Sequence, residues 1–82
     1  MTATSAITTG SKVRGSYMGV PFTGTVQNAR VNTMNFNIFI ANIALDAPIN
    51  LPDRTESESV QVWVDTTTGR DTRYGNAVEL AA

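Results

Sequence analysis

The densest set of side chains able to do chemistry in this sequence is Arg70, Asp71, Arg73 and Tyr74. A guanidinium presents a planar fork that grips a phosphate or carboxylate bidentately, and a neighbouring tyrosine offers a stacking face. The competing reading is a solvated loop tip with an Asp71–Arg73 pair, which contributes little to stability when exposed. The lone tryptophan, Trp63, lies in the run Val60-Gln61-Val62-Trp63-Val64-Asp65. Val60, Val62 and Val64 share one parity, so Gln61 and Trp63 fall on the other face of a strand. If the valines fill the core, the indole is free to anchor a partner or to stack on a planar group such as a base. Otherwise it is covered by the Thr66–Asn76 connection or by a subunit contact. Lys12, Arg14 and Arg30 are the only charged residues before Asp46. They form a second basic set, read either as a mildly basic surface on an N-terminal hairpin or as chance in a sparsely charged chain.

Much chemistry is excluded. The sequence has no histidine and no cysteine, which removes the commonest metal ligand, thiolate sites and any disulfide framework. Asp65 to Asp71 lacks the alternating acidic ligands and closing glutamate of a calcium loop. Nothing places Glu56 and Glu58 in a cleft where paired carboxylates could act. There is no phosphate loop, dinucleotide fingerprint or nucleophile elbow. No metal, cofactor or catalytic constellation is expected. The net charge of -1 disfavours strong non-specific attachment to nucleic acid or to an anionic membrane, although nucleic acid stays open as a ligand. The longest apolar stretch, Ile38 to Leu45, is far shorter than the ~20 residues of a spanning helix. Met1 to Thr9 has no basic start or apolar run. The expected location is the cytoplasm.

These residues must be positioned by strands. The 82-residue chain is short enough to bury only about 60–65% of its unfolded surface, which makes a homo-oligomer the natural source of extra stability. Thr, Asn, Ser and Gly suit strands and turns. Met1 to Thr9 reads as a disordered tail, and residues 10–82 as one domain. Lys12 to Tyr17 alternates with period two, and Met18-Gly19 suits a hairpin turn. Val20 to Val31 reads as a longer strand, with Gly24 at a bend or bulge. Tyr17 and Phe22 flank this hairpin and read as core or as part of an aromatic cage. Phe36 to Leu45 is an apolar strand. Asp46 to Ser59, interrupted by Pro48 and Pro52, reads as irregular, with Arg54, Glu56 and Glu58 solvated. Val60 to Asp65 is a strand, Thr66 to Asn76 a polar connection that turns at Gly69, and Val78 with Leu80 a terminal strand. The expected fold is all-β, a small five-stranded barrel.

Gly10-Ser-Lys-Val13-Arg14, followed by Gly19-Val20-Pro21-Phe22-Thr23-Gly24-Thr25-Val26, resembles the first hairpin of SH3-like barrels of the KOW and Tudor types. A narrower resemblance is to the type II plasmid dihydrofolate reductases, whose pore segment Val-Gln-Ile-Tyr is matched by Val60-Gln61-Val62-Trp63. That resemblance implies that Gln61, Val62 and Trp63 line a site for folate and nicotinamide cofactor in a tetramer. The family's pore lysine has no counterpart here, and the connection after Trp63 is longer. The short, Thr/Asn-rich composition also resembles phage and mobile-element accessory proteins. The resulting expectation is a non-catalytic binding or assembly module, with Trp63, Arg70, Arg73 and Tyr74 as its contact residues and Lys12, Arg14 and Arg30 as a secondary basic set; a protein partner or nucleic acid is the candidate ligand, and the module is expected to form a homo-oligomer. Alternatives are the reductase-like pore enzyme and a virion structural component.

Overall fold

The computed structural model describes residues 4–53, 56–71 and 73–81. The architecture is all-β. Six strands form one curled antiparallel sheet: β1 (Lys12–Tyr17), β2 (Val20–Val31), β3 (Ile38–Asn50), β4 (Glu56–Asp65), β5 (Arg70–Asp71) and β6 (Asn76–Leu80). Their spatial order is β4-β3-β2-β1-β6-β5. Among the described residues there is no α-helix; Thr4–Ala6 is a single 3-10 turn. No helix among them is long and apolar enough to cross a membrane.

The alternation seen in the sequence becomes the inner and outer faces of this sheet. Val13, Phe22, Val26, Phe39, Ala41, Ile43, Val60, Val62, Val64 and Val78 close into one core. Ile43 and Val62 have no exposed surface. Gly15 allows β1 to lie tightly against β6, since a Cβ there would overlap the Ala77 carbonyl. The β1–β2 hairpin turns at Met18 and Gly19, both at positive φ, the signature of a two-residue turn whose twist matches the strands. Met18 is held in this conformation by donating its N–H to Asn76 Oδ1 at 2.9 Å.

Several expectations are corrected. The sheet has six strands, not five. The apolar strand starts at Ile38 and continues to Asn50, through a stretch expected to be irregular. Pro48 is tolerated because it lies where the β3–β4 register shifts, between Ala44 and Ile49, so no ladder bond is lost. β4 accordingly begins at Glu56 rather than Val60. The hairpin expected at Gly69 does not form. Strand β5 does not pair with β4; it pairs with β6, Arg70 opposite Ala77 and Asp71 opposite Asn76.

The segment expected as a tail through Thr9 has its first three residues outside the described ones. Within the rest, Thr4 and Ile7 are buried, and Ile7 belongs to the core. Arg54, expected to be solvated, also lies outside the described residues.

Candidate functional site: a groove between β4 and β5

The groove is built by one turn. Asp65 ends β4, and its Oδ1 accepts the N–H groups of Thr67 at 2.8 Å and Thr68 at 3.0 Å. Gly69 N–H closes the loop onto the Asp65 carbonyl at 2.8 Å. Aspartate favours such turns because its short side chain reaches backbone groups two and three residues on. Gly69 sits at φ +71 with its Cα against the Val78 carbonyl, where a Cβ would stand at 2.7 Å. Neighbouring segments lock the turn from outside. Thr66 N–H donates to the Asn37 carbonyl at 2.8 Å, its Oγ1 to Phe36 O at 2.7 Å, and Thr4 Oγ1 to Thr66 O at 2.7 Å.

Beyond this anchored turn β4 and β5 are not paired with each other, and residues from both line a groove of about 760 Å³. Its lining includes Ile38, Trp63, Asp65, Arg70, Arg73 and Tyr74. Its volume falls within the range of small-molecule sites, about 300–1,000 Å³. Trp63 is 45% exposed and Tyr74 60%. Arg73 N–H donates to Asp71 Oδ1 at 3.0 Å, which bends the chain after β5. The Arg73 guanidinium carbon then lies 5.9 Å from the centre of the Tyr74 ring, at the outer limit of a cation–π contact. Neither Arg70 nor Arg73 forms an ion pair with a carboxylate among the described residues. The expected Asp71–Arg73 side-chain pair is thus replaced by a side chain-to-backbone bond.

Trp63, Arg70, Arg73 and Tyr74, singled out by residue type, are therefore brought together. Gln61 reaches the site indirectly, accepting the Trp63 indole N–H at 2.9 Å. Lys12, Arg14 and Arg30 are not part of it. Lys12 lies 3.5 Å from Asp46, and Arg14 lies 3.0 Å from Glu79. Arg30 donates to Asn28 Oδ1 at 3.2 Å. Sequence reasoning missed Ile38 and Asn37 as lining residues. Only the pairing of Ile38 with Asp65 carries them to the groove, and no local pattern announces it. Tyr17 and Phe22 are core-facing, Phe22 within the core and Tyr17 packed against it.

Of the three residues that the reductase resemblance put in a pore, Val62 has no exposed surface, while Gln61 and Trp63 are bonded to each other on the outer face.

The family model described as glyoxalase superfamily protein matches residues 1–77. No curated protein and no solved structure matches the chain. The family match spans nearly all of the sequence, whereas the SH3-like, KOW and Tudor resemblance rested on the opening hairpin alone. A tight hairpin with Gly and aromatic residues arises in any small bent sheet, which is why it misled. The match overturns that assignment, and with it the phage or mobile-element accessory module, the virion component and the reductase-like enzyme. A metal centre does not fit the donors present: the sequence has no histidine or cysteine, and no cluster of three or more acidic side chains occurs among the described residues. On the extent of the family match, this chain belongs to the glyoxalase superfamily.

Proposed function

We propose that this glyoxalase-superfamily domain binds a small organic anion in the groove between β4 and β5. The observation that carries the reading is the pair of guanidiniums, Arg70 and Arg73, which have no carboxylate partner among the described residues and stand beside two exposed aromatic rings. Unpaired arginines favour carboxylate, phosphate or sulfonate through charge-assisted, bidentate hydrogen bonds. Trp63, Tyr74 and Ile38 supply the apolar surface that a pocket needs to hold the body of the ligand. Arg70 and Arg73 hold the acidic group; the rings exclude water from one side of it and strengthen the attraction. The cation count suits a ligand with one or two acidic groups.

Calorimetric titration with 2-naphthoate tests this. Binding is expected in the wild type, weakening as salt rises from about 0.02 to 0.5 M because exposed charges are screened. Arg70→Ala with Arg73→Ala is expected to weaken it at least about tenfold, the loss of one or two charge-assisted bonds. Unchanged affinity in the double variant would sink the reading.

A further inference from the structure

Trp63 is held in place by a side-chain relay that runs across the outer face of the sheet. Its indole N–H donates to Gln61 Oε1 at 2.9 Å, and Gln61 Nε2 donates to Asn42 Oδ1 at 2.9 Å. Gln61 and Trp63 are two residues apart on β4, so both project from the same face. Asn42 stands directly opposite Gln61 on β3, where side chains come within contact of each other. One row along, Ile40 stands opposite both Trp63 and Arg30. Ile40 is only 3% exposed yet lies outside the core cluster. Its cover must come from the outer face, where Trp63 and Arg30 flank it. The indole is thus fixed at its N–H edge by Gln61 and backed by Ile40, and it still lines the groove.

A ring held this way loses little freedom when a ligand stacks on it, and pre-ordering of this kind raises affinity by removing an entropic cost. The gain goes only to ligands that present a flat face; an aliphatic anion of equal charge touches the ring poorly. We infer that Gln61, steadied by Asn42, is a positioning residue that presets Trp63 and makes the groove select planar, conjugated anions over saturated anions of the same size and charge. This rests on the organic-anion reading and adds the ligand class and the residue that sets it.

The test uses the whole chain and two matched probes, 2-naphthoate and its saturated counterpart decalin-2-carboxylate. Because there is one tryptophan, the protein gives a single indole N–H resonance in a proton–nitrogen spectrum. In Gln61→Leu that resonance is expected to move toward the position of a water-exposed indole. The dissociation constant for 2-naphthoate is expected to rise about three- to tenfold, the range for immobilising one side chain. That for decalin-2-carboxylate is expected to stay within about twofold, because the guanidiniums are untouched. Gln61→Glu keeps an acceptor oxygen for the indole and accepts from the Asn42 amide once that group turns to donate; it is expected to restore the resonance and the ratio of the two dissociation constants, while its negative charge weakens both probes together. An unmoved indole resonance in Gln61→Leu, or a moved one with the probe preference intact, overturns the positioning role while leaving the anion site standing. A wild type that binds neither probe overturns the anion reading itself, and this inference with it.

Discussion

Two regions of this small sheet carry arginines, and they treat them in opposite ways. On the outer face of β1, Arg14 meets Glu79 at 3.0 Å and Lys12 meets Asp46 at 3.5 Å. Each pair is more than half exposed on the basic side, and the charge is cancelled in place. At the groove, Arg70 and Arg73 have no carboxylate partner among the described residues, although Asp65 and Asp71 line the same groove. Both aspartates spend an oxygen on backbone N–H groups that shape the turns. Acidic residues at β1 neutralise; acidic residues at the groove build loops and leave the cations available. Function follows from how the carboxylates are used, not from the number of arginines.

The sharpest way to break this comparison is to strip both sets of cations. Arg70→Ala with Arg73→Ala is expected to weaken 2-naphthoate binding at least about tenfold, measured by calorimetry. Lys12→Ala with Arg14→Ala is expected to change it less than about twofold, since those charges are already paired with Asp46 and Glu79 and do not line the groove. Equal losses in the two double variants would erase the distinction.

A second contrast lies within one strand. Val62→Ala removes fully buried methyl groups and is expected to cost about 1–3 kcal/mol of stability in denaturant unfolding, with the transfer and cavity terms adding. Trp63→Ala, one residue on but outside the core, is expected to cost less stability while abolishing most of the probe affinity. The reverse order would mean that Trp63 serves the fold and not the groove.

Asp65→Ala removes the acceptor for two turn N–H groups and is expected to cost about 1 kcal/mol. It should also weaken binding by loosening the separation of β4 from β5. The smallest effect is expected for Glu79→Gln, which breaks the exposed pair with Arg14. Less than about 1 kcal/mol should be lost, and binding should not change.

The all-β class was legible because Val60, Val62 and Val64 alternate cleanly with Gln61, Trp63 and Asp65, and because Met18-Gly19 sits between two alternating runs. The groove residues Trp63, Arg70, Arg73 and Tyr74 could be chosen by type. Their convergence could not, because it depends on β5 pairing with β6 instead of with β4. That choice is made by the Asp65 turn and by Gly69 lying against the Val78 carbonyl, contacts between segments that no local pattern encodes. Pro48 concealed the extent of β3 for a related reason. A proline in a strand reads as a break unless the register shift that absorbs it is known. The small-barrel assignment failed because a Gly-rich opening hairpin reports tight bending, a requirement shared by many small sheets, and carries little about descent.

The most direct test of the central claim is where an anion lands. Titrating 2-naphthoate into nitrogen-labelled protein should move the Trp63 indole resonance and the Arg70 and Arg73 side-chain resonances together, saturating with one dissociation constant. Resonances of Lys12, Arg14 and Glu79 should stay in place. Perturbations centred on β1, or spread over every basic residue without saturation, would contradict a built anion site between β4 and β5.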